Sequence, residues 1–527
     1  MARVIMINAP MAHHSLFVRK KAINFVMHSV AASLKARGHS CRMINAVTRN
    51  LSIDQIALAL AVDYWDLLVF PLVDGAAMIN AIDLVRRVRS TTPSQRATTV
   101  FCGHAATVAY RELLQTFPSE VDIVVLGEEE AAICSLAEST SCSEAITGVA
   151  GIAIVRDGRV VCTQSRKPDS HLDALPAARS SHFGPVAVAL SSRGCPFSCG
   201  FCNVNYYHDP GGTCAGWRAL SAGQVVSDMV DLAERGVHFV EFIDPNFLGD
   251  RTGISRAIEV GSLLRQAALD VRFAFAARVD TLLAYREILP QLKQAGLIRI
   301  ETGIEGADDE SLRYFNKQTT RDMNRRCLQL LNELGIDAQI EFIMFRPETT
   351  SKHIEANLDL LREARALGFS IRKALYNILR LENGSRLTTK FLAEGKARKG
   401  AFFTYEYEFE DTITRDFYSA LSEYYPKSGL AEYHAIARLR ALIDGVSGPG
   451  AGDLRVHYSD CLHKSEELAL SYFTAIWNSI NAGNVEWRDQ VKNIDESFDD
   501  SCSNVLRLTE DLQRIIEASP TGACFAD

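Results

Sequence analysis

Three cysteines are the residues of this sequence with the clearest capacity for chemistry. Cys195, Cys199 and Cys202 stand at the spacing C-x3-C-x2-C, directly after a short apolar run that ends at Leu190. Thiolates are soft ligands that suit iron–sulfur clusters. Three thiolates can hold three irons of a cubane cluster and leave the fourth iron open to a substrate molecule, whereas a closed four-cysteine site mainly transfers electrons. The spacing therefore indicates a cluster with one reactive iron.

A zinc site, or a set of buried thiols without metal, is the alternative interpretation of this triplet. Structural zinc sites usually contain a fourth Cys or His at a matching spacing. His208 and Cys214 lie downstream, but neither completes such a spacing. The cluster is therefore the favoured interpretation, and zinc remains the alternative.

Composition and charge limit the classes of protein to which the chain can belong. Its 527 residues are 47% hydrophobic and 23% charged, as in ordinary globular proteins of about two to four domains. With a net charge of −8, no basic surface for nucleic acid is expected. The N-terminus, MARVIMINAP, reads as a strand rather than a signal peptide, and no apolar run approaches the roughly 20 residues of a membrane helix. Thirteen cysteines in a chain without a signal peptide predict reduced thiols in the cytoplasm. The net charge and the lack of a long apolar run predict that neither nucleic acid nor a membrane is a partner.

Strand and helix signals alternate over residues 1–140. The predicted strands lie at 4–7, 41–46, 66–73, 99–102 and 122–126, and the predicted helices include 18–37, 52–62 and 76–89. Five βα repeats predict an α/β fold with a doubly wound parallel sheet, which binds ligands at the carboxyl ends of its strands. No G-x-G-x-x-G motif follows the first strand, so a dinucleotide is not the expected ligand.

The same alternation resumes at residue 186 and continues to about residue 390. The candidate strands lie at 186–190, 238–243, 271–276, 298–304, 337–344 and 371–380. Six βα units predict an open (β/α)6 barrel, which places its chemistry at the carboxyl ends of the strands. The first strand leads directly into the cysteine loop, as this rule requires. After the barrel, helix signals dominate.

Polar side chains stand at several of the predicted strand ends. Asp244 and Asn246 follow the second strand, Arg278 follows the third, and Glu301 and Glu305 lie at the fourth. A guanidinium can bind a carboxylate, and carboxylates suit hydroxyl or ammonium groups. Helix capping or surface ion pairing is the alternative role for each residue alone. Their recurrence at successive strand ends favours a single binding site.

The cysteine loop resembles that of the radical S-adenosylmethionine (SAM) enzymes, whose signature is this spacing. In that family the open iron binds SAM, and reductive cleavage releases a 5′-deoxyadenosyl radical. The turns Phe101-Cys-Gly-His-Ala-Ala-Thr107 and Val125-Leu-Gly-Glu-Glu-Glu130 resemble those of the cobalamin-binding domains that precede many radical SAM domains. The resemblance covers roughly residues 1–410. It implies a Rossmann-like cobalamin-binding sheet, a partial (β/α)6 radical SAM barrel and a mainly helical C-terminal region.

The resemblance also implies residues for each of three cofactors. The ligands of a 4Fe–4S cluster would be Cys195, Cys199 and Cys202. The SAM contacts would be Phe201, Asp244, Asn246, Arg278, Glu301 and Glu305. The cobalamin contacts would be Pro10, Val73, Gly103, His104, Thr107, Gly127 and Glu128.

Three departures from related sequences qualify these assignments. The D-x-H-x-x-G motif, which supplies a histidine ligand in other cobalamin proteins, is absent, so we expect no protein histidine on the lower face of cobalt. His13, His14 and His104 remain possible neighbours of the cofactor. Phe345 stands where the family often has glycine, which predicts a reshaped wall near the substrate. Asn383-Gly-Ser replaces a commoner Pro-Gly-Thr turn.

These observations predict four segments. Residues 1–140 form the cobalamin-binding domain, 141–185 a connector with a hairpin at Asp157-Gly158, 186–390 the barrel, and 391–527 a helical region that covers the substrate. The predicted function is a cobalamin-dependent radical SAM C-methyltransferase, acting on an unactivated carbon of a small molecule or peptide natural-product precursor and using an external electron donor. A radical ring rearrangement or cyclisation without methyl transfer, and a non-enzymatic iron–sulfur protein, are the alternatives. In the predicted enzyme, the sheet and the barrel face each other through their carboxyl-end loops.

Overall fold

The computed structural model describes most of the chain. The described residues are 1–10, 25–72, 75–91, 97–140, 143–176, 181–212, 216–400, 403–424, 429–447, 450–482 and 487–518. The predictions that concern His13, His14, Val73 and Cys214 fall outside these ranges. Among the described residues, no helix combines the length and the apolar character that crossing a bilayer requires.

A seven-stranded sheet forms the N-terminal part, in the order β2-β1-β3-β4-β5-β6-β7. Its strands are β1 (Arg3–Asn8), β2 (Ser40–Asn45), β3 (Leu67–Pro71), β4 (Thr98–Cys102), β5 (Ile123–Val125), β6 (Ile152–Arg156) and β7 (Arg159–Cys162). The first five are parallel, as predicted. The predicted hairpin at Asp157-Gly158 forms and pairs antiparallel with β5, so it extends this sheet.

Helices cover both faces of this sheet because both faces are apolar. They are α1 (Phe25–Ala36), α2 (Ala46–Arg49), α3 (Ile53–Ala61), α4 (Gly75–Thr91), α5 (His104–Thr116), α6 (Glu130–Glu138) and α7 (Ser143–Thr147). Leu68 and Phe70 pack in one core cluster, whereas Leu67 and Val69, which alternate with them, pack in another. The sheet is therefore doubly wound.

The central part is a six-stranded sheet in the order β15-β14-β13-β12-β9-β8. Its strands are β8 (Ser181–Phe183), β9 (Val186–Ala189), β12 (Phe239–Phe242), β13 (Arg272–Ala277), β14 (Leu297–Glu305) and β15 (Asp337–Phe342), and a short ribbon pairs β10 (Ser192–Arg193) with β11 (Arg218–Ala219). Five strands are parallel, and β8 runs antiparallel to β9 at one edge. These five are the first five predicted barrel strands.

The sixth predicted strand, at 371–380, does not form. Arg372–Tyr376 is a short helix, and only Ile378 makes a parallel bridge, to Phe345. The Arg372 side chain is buried and donates hydrogen bonds to Ser465 in a C-terminal helix. Contacts with the C-terminal helices, which lie far away in sequence, therefore override the strand pattern.

Helices surround the barrel and continue to the C-terminal end of the described chain. They are α8 (Val204–His208), α9 (Ala222–Glu234), α10 (Arg251–Ala267), α11 (Val279–Ala284), α12 (Leu289–Gln294), α13 (Asp309–Tyr314), α14 (Arg321–Glu333), α15 (Ser351–Ala366), α16 (Arg372–Tyr376), α17 (Arg386–Ala393), α18 (Thr412–Tyr424), α19 (Gly429–Gly445), α20 (Ala451–Asn481) and α21 (Trp487–Ala518). Between α17 and α18, a ribbon pairs β16 (Ala397–Lys399) with β17 (Tyr405–Tyr407).

Helix α19 packs against the amino-terminal ends of three barrel strands. Asp444 makes a buried ion pair of 2.8 Å with Arg299 of β14, and Arg440 pairs with Asp337 at the start of β15. Arg272, the first residue of β13, donates hydrogen bonds to the backbone oxygens of Asp444 and Val446. These contacts join α19 to three adjacent strands, and the covering of the substrate by residues 391–527 stays a prediction.

Phe345 anchors the C-terminal helices. Its fully buried ring lies 5.9 Å from Phe417 and 6.3 Å from Phe473, between ring centroids. Aromatic pairs at such distances contribute packing and electrostatic attraction. The expectation that Phe345 reshapes a wall beside the substrate was therefore wrong, because its side chain packs into the core between the barrel and the helices.

Candidate active site

The cysteine loop begins at the carboxyl end of β9, after the β10 ribbon. Gly194 has φ +78°, and a Cβ atom there would lie 2.3 Å from the backbone oxygen of Gly216, so only glycine fits. Farther along, the Gly200 N–H donates to the Phe315 oxygen, and the Leu387 N–H donates to the Gly200 oxygen. The loop is thus held at both ends against the barrel.

The three thiols share one environment. Burial, and then the neighbouring Cys199, raise the pKa of Cys195. Burial, followed by the charges of Cys199, Cys195 and Glu305, raises the pKa of Cys202 to about 11. Because each thiol disfavours ionisation of the next, a bound cation would be needed to stabilise all three thiolates.

The structure describes all three cysteines of the loop. Among the described residues, Asp308, Glu310 and His353 are the group that places three ligand atoms within 4.8 Å of one another. The cysteine triplet is not such a group, so the choice between a cluster and zinc rests on its spacing in the sequence.

Arg278 is fixed beside the cysteine loop. Its guanidinium binds both oxygens of Asp280 at 2.9 and 2.8 Å, donates to the Lys317 oxygen, and donates to Cys199 Sγ at 3.1 Å. It also lies over the ring of Phe197, 4.0 Å from the centroid. These bonds use four of its five N–H groups, so Asp280 and Lys317 fix the guanidinium while it donates to a cysteine sulfur.

Glu305 lies at a bulge at the end of β14. Its φ is +60°, the strand register shifts between Gly303 and Glu305, and its carboxylate binds Lys317 Nζ at 2.9 Å. A Cβ atom at Gly303 would lie 2.3 Å from the Glu305 carboxylate. Glycine at 303 therefore makes room for this buried ion pair, which is close enough to Cys202 to influence its pKa.

Glu301 has different partners from Glu305. It accepts a hydrogen bond from Gln339 at 2.8 Å, and Gln339 also contacts Glu341, which pairs with Lys373. On β15 the half-buried residues Gln339 and Glu341 alternate with buried apolar ones. Glu301 thus belongs to a polar wall formed with Gln339 and Glu341, whereas Glu305 lies beside the cysteine loop.

The Asp244 carboxylate makes hydrogen bonds within the protein. Its buried carboxylate accepts hydrogen bonds from the Ser191 N–H and hydroxyl at 2.9 and 3.1 Å. Burial raises its pKa, although the charge of Arg256 opposes this shift. The contact of Asp244 with SAM stays a prediction, and the hydrogen bonds observed for its carboxylate are with Ser191.

Two other predicted residues lie against the cysteine loop. The Asn246 amide nitrogen lies 4.0 Å from Cys195 Sγ, while its backbone oxygen accepts from Trp217. Phe201 packs edge-on against Phe315, with centroids 5.6 Å apart. The structure therefore brings Phe201, Asn246, Arg278 and Glu305 together around the cysteines.

The two predicted turn glycines on the N-terminal sheet pack against the protein. A Cβ atom at Gly103 would lie 2.6 Å from the Leu72 oxygen, and one at Gly127 would lie 3.2 Å from the Tyr207 oxygen. The Thr107 hydroxyl accepts from the Gly127 N–H at 3.1 Å and so joins the two turns. A side chain at Gly103 would meet the Leu72 backbone, and one at Gly127 would meet the Tyr207 backbone and the Pro210 ring.

His104 links the N-terminal sheet to the cysteine loop. Its Nε2 lies 2.9 Å from the amide oxygen of Asn203, the residue after Cys202, and Asn203 donates to the backbone oxygen of Asn383. Asn383 in turn donates to the backbone oxygen of Val108. The 103–107 turn and the cysteine loop therefore meet at one interface, as predicted.

Glu128 also contacts the barrel. Its carboxylate pairs with Arg193 at 3.1 Å, with His208 at 2.9 Å and with Arg218. Burial alone would raise its pKa, but hydrogen bonds from His208 and Arg218 and the two arginine charges lower it. The contact of Glu128 with cobalamin stays a prediction, and the partners observed for its carboxylate are three barrel residues. Sequence reasoning missed Arg193, although it lies two residues before the first cysteine.

Comparison with known proteins identifies the central part of the chain. Residues 190–372 match the family model of the Radical SAM superfamily. These residues form a radical SAM domain. The domain contains the cysteine loop, Arg278 and the Glu305–Lys317 pair, so the residues that surround the thiols lie within the matched region.

Two relatives of known name match more than half of the chain. The chain is 26% identical over 344 residues to hopanoid C-3 methylase of Methylococcus capsulatus, which covers 64% of this chain and 63% of the relative. It is 27% identical over 353 residues to anaerobic magnesium-protoporphyrin IX monomethyl ester cyclase of Rubrivivax gelatinosus, covering 63% and 61%. The chain thus spans less than two thirds of the length of these relatives.

Solved structures share the fold beyond the radical SAM domain. The cobalamin-dependent SAM radical enzyme OxsB, with aqua-cobalamin and SAM bound, matches 100% of this chain and 82% of its own, with a TM-score of 0.71 and 17% identity. The radical SAM methyltransferase TsrM from Kitasatospora setae, with cobalamin and a [4Fe-4S] cluster bound, matches 76% of each chain, with a TM-score of 0.58 and 15% identity. The chain therefore has the three-part fold of cobalamin-dependent radical SAM enzymes.

Proposed function

We propose that this protein is a cobalamin-dependent radical SAM C-methyltransferase. The observation that carries the proposal is the meeting of the cysteine loop with the carboxyl edge of the N-terminal sheet, through His104 and Asn203. A radical enzyme that transfers a methyl group has to bring two cofactors to one substrate. The similarity to hopanoid C-3 methylase and the shared fold of OxsB and TsrM support this activity.

The residues present fit a 4Fe–4S cluster. We assign Cys195, Cys199 and Cys202 as its ligands, because they stand at C-x3-C-x2-C spacing within the residues that match the Radical SAM family model. Arg278 donates directly to Cys199 Sγ. A donor to a cysteine sulfur stabilises its thiolate form and tunes the potential of a cluster. Arg278 would therefore contribute to holding the cluster and would present its one remaining N–H group to a bound carboxylate.

For SAM, we propose contacts from residues next to the cysteine loop. Phe201 and Asn246 border the loop, Glu305 lies at the bulge beside Cys202, and Glu301 lies on the inner wall of β14. Their apolar, amide and carboxylate groups suit an adenine ring, a polar tail and ribose hydroxyls, respectively. We assign Asp244 a supporting role, because its hydrogen bonds with Ser191 join the ends of two barrel strands.

For cobalamin, we propose contacts from the backbone at the carboxyl edge of the N-terminal sheet. Pro10, Gly103 and Gly127 follow β1, β4 and β5, and parallel strands bring these ends to one edge. His104 remains bound to Asn203 in this proposal, so no protein histidine ligates cobalt from the lower face. Glu128 acts at the interface between the domains.

When bound, these cofactors supply radical generation and a transferable methyl group. The chain positions them, and we propose that the C-terminal region covers the substrate and limits the access of water to the reacting atoms. The substrate is proposed to be a small molecule or peptide precursor with an unactivated carbon. A reducing, cytoplasmic setting and an external electron donor belong to the same proposal.

Anaerobic product analysis tests this function. The reconstituted protein is incubated with reductant, methyl-labelled SAM and candidate substrates. We expect labelled product together with S-adenosylhomocysteine, 5′-deoxyadenosine and methionine. Turnover that forms 5′-deoxyadenosine without S-adenosylhomocysteine would instead establish a rearrangement or cyclisation, an outcome made relevant by the similarity to a cyclase. Failure to bind SAM after full cluster reconstitution would support a non-enzymatic role.

A further inference from the structure

Three consecutive glutamates follow the last parallel strand of the N-terminal sheet and lie at the interface of this sheet with the barrel. Glu128, Glu129 and Glu130 follow β5, and all three side chains contact other parts of the protein while buried. The side chains of Glu128 and Glu130 are only 9% and 7% exposed. Burying charges costs free energy unless they are paired. The interface must therefore supply a partner for each carboxylate.

Arg193 binds two of these carboxylates at once. It donates to Glu128 at 3.1 Å and to Glu130 at 2.6 Å, and its own side chain is 12% exposed. A planar guanidinium can hold two carboxylates in a fixed orientation, which a lysine ammonium cannot. Ser29 of α1 donates to Glu130 at 2.5 Å and fixes that carboxylate on the sheet side. Arg193 is thereby held by the N-terminal sheet.

Only Gly194 separates Arg193 from Cys195. Gly194 has a left-handed backbone conformation, and its Cα lies too close to Gly216 for any side chain. This short, closely packed connection leaves little freedom between the guanidinium and the first cysteine. A displacement of Arg193 would therefore be transmitted to the cysteine loop.

The other end of the cysteine loop is held by the same turn. The Tyr207 hydroxyl donates to Glu129 at 2.7 Å, and His208 Nδ1 lies 2.9 Å from Glu128. Both residues belong to α8, which begins two residues after Cys202. Arg218 adds a second cation to Glu128 and also binds the Asp169 oxygen in the connector. The turn at residues 128–130 thus contacts the chain on both sides of the cysteine loop, at Arg193 before it and at α8 after it.

We propose that Glu128 and Glu130 are positioning residues that set the distance between the cysteine loop and the N-terminal sheet through Arg193. The proposal rests on the proposed function, in which a methyl group and a radical have to meet between these two parts. It adds a role for residues that contact neither substrate nor cofactor. Misplacement of about 1 Å can reduce a rate about 100-fold, so the loss of this contact should impair the step that needs both cofactors.

The test uses the full chain, reconstituted with cluster and cobalamin. The main variant is Glu128→Gln, which keeps the size of the side chain and removes its charge. Glu138→Gln is the matched control, because Glu138 lies in the same domain and makes an exposed ion pair with Arg37. Arg193→Lys is a second variant, which keeps the positive charge and loses the planar guanidinium that binds two carboxylates.

Two measurements report on position. Pulsed electron paramagnetic resonance gives the distance distribution between the reduced cluster and cob(II)alamin, and product analysis gives the ratio of methylated product to 5′-deoxyadenosine. For Glu128→Gln we expect a broadened distance distribution and a ratio lowered by about tenfold or more, with 5′-deoxyadenosine formation per cluster retained. The Glu138→Gln control should match the wild type in both. Arg193→Lys should show an intermediate effect.

Three outcomes would decide against the proposal. An unchanged distance distribution and ratio in Glu128→Gln would overturn it, and so would a parallel loss of cluster and of both products, which indicates a merely structural role. If Glu128→Gln does not fold, Arg193→Lys provides the test. A wild-type distance distribution and a wild-type product ratio in Arg193→Lys would then overturn the proposal. Should the wild type form no methylated product, the proposed function fails, while the distance distribution still tests the positioning role.

Discussion

Replacing Glu129 by Gln should stabilise the protein at neutral pH. Burial, and next the charge of Glu130, raise the pKa of Glu129 from 4.5 to about 8, while Tyr207 and Arg193 oppose the shift. After burial, the charge of Glu129 in turn raises the pKa of the Cys102 thiol and that of the Tyr207 hydroxyl. The folded protein therefore holds a proton that the unfolded chain releases, and glutamine imitates this protonated form while still accepting the Tyr207 hydrogen bond.

The sign and size of the effect follow from proton linkage. Because the folded pKa is the higher one, the stabilising contribution is complete below pH 4.5 and is lost as the pH rises towards 8. Between pH 4.5 and pH 7 the loss is about 3 kcal/mol, from about 1.36 kcal/mol for each unit. Glu129→Gln should not undergo this loss.

Denaturant unfolding of the cofactor-free protein at several pH values measures the difference. Contributions from groups that do not interact with Glu129 cancel when the pH dependence of Glu129→Gln is subtracted from that of the wild type. The interacting groups titrate outside the range from pH 4.5 to 7, because the pKa of Glu130 is lowered and those of Cys102 and Tyr207 are raised well above their ordinary values. The variant should gain stability relative to the wild type as the pH rises from 4.5 to 7. Parallel curves for the two proteins would refute the reasoning, since they would mean that Glu129 ionises normally in the folded state.

Three further predictions concern the fold and the cofactors. Gly194→Ala should lower cluster content, because its new methyl group would lie 2.3 Å from the Gly216 oxygen, and iron and sulfide analysis measures this loss. Asp444→Asn should destabilise the protein by about 3 kcal/mol in denaturant unfolding, since it leaves Arg299 buried without its ion pair; an effect under about 1 kcal/mol would contradict this. Bound cob(II)alamin should show no nitrogen coupling from a protein histidine in its paramagnetic resonance spectrum.

The sequence predicts the parallel strands well because their apolar runs are continuous and local. Five strands of each sheet occur where they were expected, and Asp157-Gly158 forms the predicted hairpin turn. The segment at 371–380 has a similar local pattern but becomes a helix, because Arg372 binds Ser465, 93 residues away. Local periodicity contains no information about such a partner.

The candidate site likewise combines features that the local sequence predicts with features that depend on residues far away in the chain. The cysteine spacing is local and indicates a cluster directly. The roles of Asp244 and Glu128 depend on partners far away in the chain. Asp244 binds Ser191, which is 53 residues away, and Glu128 binds Arg193, which is 65 residues away. A polar residue at a strand end can face a ligand or another domain, and only the packing of the two sheets distinguishes these possibilities.

The most direct test of the central claim is the joint measurement of 5′-deoxyadenosine and S-adenosylhomocysteine. Wild-type protein and Cys199→Ala are reconstituted anaerobically with cobalamin, SAM, reductant and a substrate that the wild type methylates. The wild type should form both compounds in step with methylated product, and Cys199→Ala should form no 5′-deoxyadenosine. Wild-type rates of SAM cleavage in Cys199→Ala would contradict the assignment of the cluster, and wild-type turnover in protein free of cobalamin would contradict methyl transfer through that cofactor.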